Sequence, residues 1–328
     1  MSFAIETNGL TKVFGDLIAV DHIDIKIKEG TINGFIGPNG AGKSTTMKML
    51  IGALRPTDGS GTIKGYPLGS MESKQFLGYS PEHPKFYEDM TAHKYLVYMG
   101  MICGLSKQRA TARTSELLKW LNIEDFAEKK IRGFSAGMRQ KLSLAQSMIH
   151  EPEILILDEP TANLDPAGRF SIIENLKELS RENKITVFIS SHILAELEKL
   201  VDEVTLINHG KIVVESDVTS LKKKISGNRF ILKTSDNKKI LSDLEARGYI
   251  KYGEIDENDV IHVVAEGDES QFKKNITEVI LKNDVWLEKF NLETSDLESV
   301  FMQLVGEGEE KQEAVIQDNH KSFWRFWK

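Results

Sequence analysis

The sequence predicts an α/β fold that is built around a phosphate-binding loop and followed by a small α+β domain of ferredoxin-like type. Three observations support this prediction. A glycine-rich loop at residues 37–45 separates a short apolar segment from a helical pattern. Two continuous apolar runs, at residues 153–158 and 185–190, end in polar residues, as buried parallel strands do. Strand and helix patterns alternate in a new order after residue 228, which indicates a separate domain.

The loop at residues 37–45, called the phosphate loop below, fits the pattern G-x-x-x-x-G-K-[ST]. A predicted strand precedes it and a predicted helix, residues 45–54, follows it. Backbone N–H groups and the positive helix end therefore meet around one concavity that suits a polyphosphate. A plain glycine-rich turn is the alternative. Lys43 is predicted to bind the β- and γ-phosphates, and the Ser44 hydroxyl to bind Mg²⁺. The predicted nucleotide-binding residues of the loop are Gly37, Pro38, Asn39, Gly40, Ala41, Gly42, Lys43, Ser44 and Thr45.

Composition excludes several classes of protein. The chain has 328 residues, 40% of them hydrophobic, which is enough for two domains that each bury a core. The formal net charge of −7 argues against a non-specific nucleic-acid binder, so no nucleic-acid partner is expected. Cys103 is the single cysteine, which excludes an internal disulfide and fits a reducing compartment. The sequence shows no signal-peptide pattern, and its most apolar window, residues 95–105, is too short to span a bilayer.

The first domain is predicted to cover residues 1–220. Its first 30 residues alternate in hydrophobicity, which indicates antiparallel strands. Residues 80–150 are predicted to be mainly helical, and 168–180 to be a helix that joins the two parallel strands. Residues 204–214 are predicted to form a hairpin. The predicted apolar face of the helical region consists of Tyr95, Tyr98, Met99 and Ile102.

A lysine-rich segment at residues 220–228 indicates a domain boundary. The accessory domain is predicted to cover residues 226–305 in βαββαβ order, with a last helix that begins at Ser295. Residues 306–328 are predicted to be an acidic tether that ends in an aromatic and basic tail. As a helix, this tail would lie in a lipid headgroup region or dock on a membrane partner, and a disordered tail is the alternative.

Two acidic residues follow the first apolar run. Asp158 is predicted to bind Mg²⁺, and Glu159 to orient or deprotonate an attacking water. A strand that simply ends in solvated acids is the alternative. The phosphate loop favours the functional interpretation, because the carboxyl ends of parallel strands and such a loop share one edge of a sheet.

Three further motifs complete the pattern. Ser135-Ala136-Gly137 precedes the acidic strand, Asn163-Leu164-Asp165 follows it, and Ser190-Ser191-His192 ends the next strand. In this order, and together with the phosphate loop and the acid pair, they make residues 1 to about 220 resemble the ATP-binding cassette (ABC) ATPases. The combination is far more specific than any one motif, since a lone histidine or serine–glycine turn is usually structural.

The resemblance implies that each ATP site is shared between two copies of the domain. Ser135, Ala136 and Gly137 would form a signature loop at a helix N-terminus, which binds the γ-phosphate of ATP held by the second copy. Asp165 would lie at the seam between the copies. Ala136 replaces a usual glycine of this signature, and its methyl group is expected to be tolerated.

The resemblance also assigns the residues that handle ATP and Mg²⁺. The implied catalytic residues are Glu159, His192, Lys43 and Glu82, and the implied metal ligands are Ser44, Asp158 and Glu82. Glu82 departs from the family, which has a glutamine there. A carboxylate can bind Mg²⁺ but cannot donate a hydrogen bond unless it is protonated. Phe14 occupies the position at which the family stacks an aromatic ring on adenine, and a core phenylalanine is the alternative.

Residues 79–91 and 295–304 resemble the drug- and antibiotic-efflux branch of the family, whose ATPase subunits are encoded apart from their permeases. The implied function is an ATP-hydrolysing subunit that dimerises on ATP, as a homodimer or with a close paralogue. It would drive a separate ABC-2 type permease at the cytoplasmic face of the membrane and export a drug, antibiotic or lipid-like compound.

Two alternatives belong to other functional classes. A soluble cassette ATPase that acts on ribosomes or DNA usually carries two cassettes or an inserted coiled coil, and the sequence shows neither. A regulatory module that binds ATP without turnover is disfavoured by the intact set of Lys43, Asp158, Glu159 and His192.

Overall fold

The chain divides into two compact units, Met1–Val218 and Thr219–Lys328. The computed structural model describes residues 2–162, 164–183, 185–191, 197–221 and 228–293. The predicted helix at Ser295 and the predicted tether at residues 306–328 lie outside the described residues. In the part of the chain that is described, every helix is too short or too polar to cross a bilayer.

Six strands form the central sheet of the first unit. In spatial order they are β11 (Lys211–Asp217), β10 (Glu203–Asn208), β4 (Ile32–Ile36), β9 (Thr186–Ser191), β8 (Ile154–Leu157) and β7 (Leu77–Ser80). The strands from β10 to β7 are parallel, and β11 returns antiparallel to β10 as the predicted hairpin. Every residue of β4, β8 and β9 is buried, which explains their continuous apolar runs. The carboxyl ends of the parallel strands meet at one edge of this sheet.

The N-terminal strands form a second, antiparallel sheet. Its strands are β2 (Leu17–Ile23), β1 (Phe3–Phe14), β5 (Asp58–Ile63) and β6 (Tyr66–Pro67), with β3 (Lys26–Lys28) paired to β1. Ile5 and Ile63 of this sheet share one buried core with Phe188 of β9 and with Met47 of α1 (Lys43–Leu50). This common core holds α1 against both sheets. The helix ends at Leu50 rather than at the predicted residue 54, because Gly52 takes a left-handed φ of 71°.

The other helices of the first unit whose bounds lie within the described residues follow the predicted order. They are α2 (Met71–Gln75), α3 (Ala92–Ile102), α4 (Lys107–Trp120), α5 (Ala136–Met148) and α6 (Pro166–Asn183), with 3₁₀ turns at Glu124–Phe126 and Ile131–Gly133. α6 joins β8 to β9 and completes the predicted β-α-β unit.

The predicted apolar face of α3 is wrong in part. Its buried residues are Ala92, Tyr95, Leu96 and Gly100. Tyr98 is 43% exposed and Ile102 is 59% exposed. The small residues explain the difference, because a Cβ at Gly100 would lie 3.0 Å from the Cβ of Ala110 in α4. Close packing against α4 therefore buried the face that carries Gly100 and left Tyr98 and Ile102 exposed.

The second unit contains a four-stranded antiparallel sheet. In spatial order its strands are β13 (Ile250–Ile255), β14 (Ile261–Ala265), β12 (Arg229–Thr234) and β15 (Leu287–Leu292). α7 (Asn237–Ala246) follows β12, and α8 (Glu269–Asn283) follows β14. Phe230 of β12 and Phe272 of α8 lie in one core with ring centroids 4.7 Å apart. The βαββαβ order and the strand order confirm the predicted ferredoxin-like fold.

Candidate functional site

The phosphate loop connects β4 to α1, and two glycines fix its path. A Cβ at Gly37 would lie 2.3 Å from the carbonyl oxygen of Ile207, so only glycine fits beside β10. Gly42, directly before α1, has a left-handed φ of 108°, and a Cβ there would lie 2.6 Å from the carbonyl oxygen of Ala19. The loop therefore packs closely against both sheets and brings the N-terminus of α1 to the edge where the parallel strands end.

The ammonium group of Lys43 is buried in the loop. Nζ donates hydrogen bonds to the carbonyl oxygens of Gly37 (2.7 Å) and Pro38 (3.2 Å), and it lies 3.5 Å from Glu159 Oε1. The Lys43 side chain is only 7% exposed. A buried cation binds anions strongly because water does not compete for it. The Lys43 ammonium group is therefore suited to bind a polyanion that enters the loop.

Asp158 connects the loop to three neighbouring strands. Ser44 Oγ, in the first turn of α1, donates to Asp158 Oδ1 at 3.2 Å, and Ser190 Oγ of β9 donates to the same oxygen at 2.8 Å. The Asp158 backbone N–H donates to the carbonyl oxygen of Ser80, the last residue of β7, at 2.9 Å. Residues from α1 and β9 thus bond the Asp158 carboxylate, while β7 holds the Asp158 backbone, and Asp158 is 3% exposed.

The oxygens of Ser44 and Asp158 fit Mg²⁺. This ion prefers six oxygens at about 2.1 Å, which places neighbouring ligand oxygens about 3 Å apart. The two oxygens here are 3.2 Å apart. The described residues contain no group of three or more His, Cys, Asp or Glu that could hold a metal. The donor set therefore leaves positions for phosphate and water, as is usual for Mg²⁺.

Glu159 points to the same site because its backbone leaves the strand conformation. Successive side chains of an extended strand point to opposite faces. Glu159, however, has a left-handed φ of 47°, and its carbonyl oxygen accepts a hydrogen bond from Ala162 N at 3.0 Å. The side chain is 7% exposed, and its Oε1 approaches Lys43. Backbone strain of this kind is common at functional sites.

A cavity of about 430 Å³ opens in front of these groups. It is lined by most of the phosphate loop, by Phe14, Leu17 and Ala19 of the antiparallel sheet, and by Glu82 and Glu159. The volume lies in the usual range for a small-ligand site. The structure thus brings most of the predicted nucleotide-binding residues to one cavity, and it adds Leu17 and Ala19, which no sequence signal indicated.

Phe14 is 47% exposed at this cavity, so the alternative of a core phenylalanine is wrong. Lys12 Nζ lies 5.1 Å from the centroid of the Phe14 ring. An exposed ring that lines the cavity can stack on a planar base.

Glu82 lines the cavity, and its side chain is 40% exposed. Its Oε1 lies 3.5 Å from His83 Nε2. Burial, together with the charges of Asp158 and Glu82, raises the pKa of Tyr79 to about 12. The Tyr79 phenol therefore stays neutral beside this acidic edge.

The signature loop lies outside the cavity lining. Ser135 caps α5, since its Oγ accepts a hydrogen bond from Met138 N at 3.3 Å, and Ser135 and Ala136 are exposed. Asp165 is exposed as well and caps α6, since its Oδ1 accepts from Gly168 N at 2.9 Å. Gly137 is half-buried. A single chain thus presents the phosphate loop at the cavity and the signature loop elsewhere on its surface.

His192 and Asn163 lie outside the described residues. No sequence motif indicated a role for Ser190, although its hydroxyl bonds the Asp158 carboxylate and the backbone N–H of Glu159. The available signal was a serine in a strand that is otherwise apolar and fully buried.

A larger cavity, of about 660 Å³, lies at the opposite ends of β8 and β9. Its charged groups pair with one another, as Lys64 does with Glu153 and Arg113 with Glu116. It has no glycine-rich loop, so it does not resemble a phosphate site.

Comparisons with known proteins agree with this geometry. Residues 20–162 match the family model described as "ABC transporter". The bacitracin transport ATP-binding protein BcrA of Bacillus licheniformis is 37% identical over 94% of this chain and 99% of its own length. The linearmycin resistance ATP-binding protein LnrL of Bacillus subtilis is 34% identical over 69% of this chain and 73% of its own length.

Solved structures show the same fold. A structure of the ATP-binding subunit of an ABC transporter has a TM-score of 0.62 and 28% identity, and covers 68% of this chain and 93% of its own. A dimeric ATP-binding cassette in a post-hydrolysis state, with ADP and Pi bound, has a TM-score of 0.60 and 23% identity, and covers 65% of this chain and 98% of its own.

Proposed function

Since the chain belongs to the ABC transporter ATP-binding proteins, which hydrolyse ATP, we propose that the cavity beside the phosphate loop is its site of ATP binding and hydrolysis. The observation that carries this proposal is the convergence of Lys43, Ser44 and the acid pair on one buried edge of the sheet. These groups come from segments more than 100 residues apart in the sequence, as the separation of 114 between Ser44 and Asp158 shows.

The phosphate loop binds the triphosphate. Backbone N–H groups at the N-terminus of α1 donate to phosphate oxygens, and Lys43 exchanges its two carbonyl acceptors for the β- and γ-phosphates. Phe14 stacks on the adenine ring at the mouth of the cavity.

Glu159 acts as the general base. Its carboxylate accepts a proton from a water molecule as the water oxygen bonds to the γ-phosphorus. The bond to the β–γ bridging oxygen breaks, and ADP and phosphate are released. Ser44 and Asp158 would hold Mg²⁺, with Glu82 as a further oxygen ligand, and the ion would neutralise charge on the phosphate oxygens.

The site is proposed to be completed by a second copy of the chain or a close paralogue. The signature loop is at least partly exposed and lies outside the cavity lining, as residues Ser135, Ala136 and Gly137 show. Asp165 is exposed and lies outside the lining as well. The helix N-terminus at the signature loop is therefore available to the ATP of a partner. His192 is proposed to contact the γ-phosphate.

The work driven by ATP is proposed to be export of a drug, antibiotic or lipid-like compound through a separate ABC-2 type permease at the cytoplasmic face of the membrane. Two of the relatives are named for bacitracin transport and linearmycin resistance, which supports this direction. Co-purification of the neighbouring permease with the ATPase, and stimulation of ATP hydrolysis by such a compound, would test it.

Glu159→Gln tests the hydrolytic site. We expect the variant to bind ATP and to dimerise, but to hydrolyse ATP roughly 100- to 10,000-fold more slowly, because an amide cannot take the proton. Phosphate release measures turnover, and analytical ultracentrifugation with and without ATP measures dimerisation.

Glu153→Gln is the matched control, because it makes the same change at the opposite end of β8, where the carboxylate pairs with Lys64 at the surface. Turnover of Glu153→Gln is expected to remain close to that of the wild type. Wild-type turnover in Glu159→Gln would exclude Glu159 as the base.

A further inference from the structure

A buried serine hydroxyl connects the two acids of the site. We infer that Ser190, at the end of β9, is a positioning residue that orients the Asp158 carboxylate and holds Glu159 in its left-handed conformation. This inference rests on the proposed function, because it assigns Ser190 a task only if Asp158 and Glu159 are the metal ligand and the base.

The hydrogen bonds of Ser190 leave one arrangement of its proton. A hydroxyl has one proton to donate and two lone pairs that accept. Ser190 Oγ lies 2.8 Å from Asp158 Oδ1 and 2.9 Å from Glu159 N. The carboxylate cannot donate and the backbone N–H cannot accept. The hydroxyl therefore donates to Asp158 and accepts from Glu159 at the same time.

The bond to Glu159 stabilises an unfavourable backbone. A left-handed φ is unfavourable for a non-glycine residue, and Glu159 has a φ of 47°. In this conformation its N–H bonds to the Ser190 side chain. Without the hydroxyl this buried N–H loses its acceptor, and extended conformations of Glu159 that point its side chain away from Lys43 become more populated.

The hydrogen bond from Ser190 to Asp158 orients the carboxylate that is proposed to bind Mg²⁺. Asp158 Oδ1 accepts from both Ser190 and Ser44, so two donors on different elements fix the rotation of the carboxylate. The backbone of Asp158 is held separately, through its bond to the carbonyl oxygen of Ser80. Loss of the Ser190 hydroxyl would therefore disturb the carboxylate and the following residue but leave the strand in place.

Burial makes these bonds effective. Ser190 is 0% exposed, and Asp158 and Glu159 are 3% and 6% exposed. Solvent does not reach this position, so water cannot take over the hydrogen bonds of the Ser190 hydroxyl once that hydroxyl is removed. The phosphate loop makes no hydrogen bond to Ser190 among the described contacts, and ATP affinity is accordingly expected to depend little on it.

The test compares Ser190→Ala with Ser190→Thr and Ser190→Cys in the full chain. We expect kcat for ATP hydrolysis to fall roughly 10- to 100-fold in Ser190→Ala. The KM for ATP should change by less than about threefold, and the Mg²⁺ concentration for half-maximal activity should rise. Ser190→Cys keeps the volume but bonds weakly and should lose activity too, whereas Ser190→Thr keeps the hydroxyl and should retain most of it.

Ser147→Ala is the matched control. Ser147 is 3% exposed, and among the described residues its hydroxyl bonds only within α5, to the carbonyl oxygen of Leu144. Removing it tests the loss of a buried hydroxyl with no link to the acids. We expect its kcat and Mg²⁺ requirement to match the wild type, while its melting temperature falls about as much as that of Ser190→Ala.

Two results would overturn the inference. One is wild-type kcat and Mg²⁺ dependence in folded Ser190→Ala. The other is an equal loss of kcat in Ser147→Ala, which would indicate a purely structural effect. Glu159→Gln, measured in parallel, distinguishes a failure of the inference on Ser190 from a failure of the proposed site. If Glu159→Gln is inactive and Ser190→Ala is normal, only the inference on Ser190 fails. If Glu159→Gln is fully active, the proposed site fails.

Discussion

The two units of the chain place their charged groups differently. In the first unit Lys43, Asp158 and Glu159 are all buried, and all three lie at one edge of the parallel sheet. In the described part of the second unit the buried polar side chains are neutral, namely Thr234, Asn237 and Asn275. Its charged residues pair closer to the surface, as Arg247 does with Glu278.

The difference follows from the cost of burying charge. A buried ion is stable only when strong partners replace its water, whereas neutral groups are satisfied by ordinary hydrogen bonds. Asn237 Oδ1, for example, accepts from both the backbone N and the Oγ1 of Thr234. A domain that needs only to be stable gains little from buried ions. We therefore expect the chemistry to depend on the first unit, and the following substitutions test this difference.

The largest contrast is expected between two lysines. Lys43→Ala removes the buried cation of the phosphate loop, so we expect tight ATP binding to be lost and hydrolysis to fall roughly 100- to 1,000-fold. Lys239→Ala, in the second unit, removes a hydrogen bond to the carbonyl oxygen of Asn283 and should leave both unchanged. Fluorescent nucleotide binding and phosphate release measure the two effects. ATP binding that survives in Lys43→Ala would contradict the role of the loop.

An intermediate contrast is expected between two glycines. In Gly37→Ala the new methyl would meet the backbone oxygen of Ile207 at 2.3 Å, so we expect a loss of roughly 2–3 kcal/mol in the free energy of unfolding, with weaker ATP binding. In Gly253→Ala the nearest atom, at 2.4 Å, is the terminal Leu241 Cδ1, which can rotate away. We expect a loss of about 1 kcal/mol there and unchanged ATP binding.

Denaturant unfolding with and without ATP measures both glycine variants. A Gly253→Ala protein that loses ATP affinity would show that the second unit affects the site. Equal destabilisation of the two variants would mean that the loop can move away from β10.

The smallest contrast concerns two histidines with opposite pKa shifts. Burial lowers the pKa of His150, against an opposing hydrogen bond to the carbonyl oxygen of Leu77. Burial also acts to lower the pKa of His262, but hydrogen bonds with Glu293 and Asp256 outweigh it and raise the pKa. The two imidazoles should therefore titrate on opposite sides of about pH 6.5.

The sign of each contribution to stability follows from these directions. The unfolded chain binds a proton more readily than folded His150, so this group reduces stability as pH falls below about 6.5. His262 stabilises the fold below that pH, and this contribution is lost as pH rises through its folded pKa. NMR titration of the two imidazoles, assigned with His150→Gln and His262→Gln, measures both pKa values. Titration of both on the same side would remove the contrast.

Local patterns predicted some elements better than others. The buried strands β8 and β9 begin and end within two residues of the apolar runs that predicted them, because a strand buried on both faces must be continuously apolar. The buried face of α3 was predicted less well. Helix periodicity shows which residues share a face, but the close approach of α4 at Gly100 decided which face was covered.

The sequence by itself determined the order of the elements, the phosphate loop and the identity of the two acids, because each depends on residues that are neighbours in the chain. Only the tertiary structure decided that the side chains of Asp158 and Glu159 reach the same site. Adjacent residues of a strand point to opposite faces, and the left-handed backbone of Glu159 overrides that rule. Its support comes from Ser190, 31 residues away, through strand pairing that no local pattern encodes.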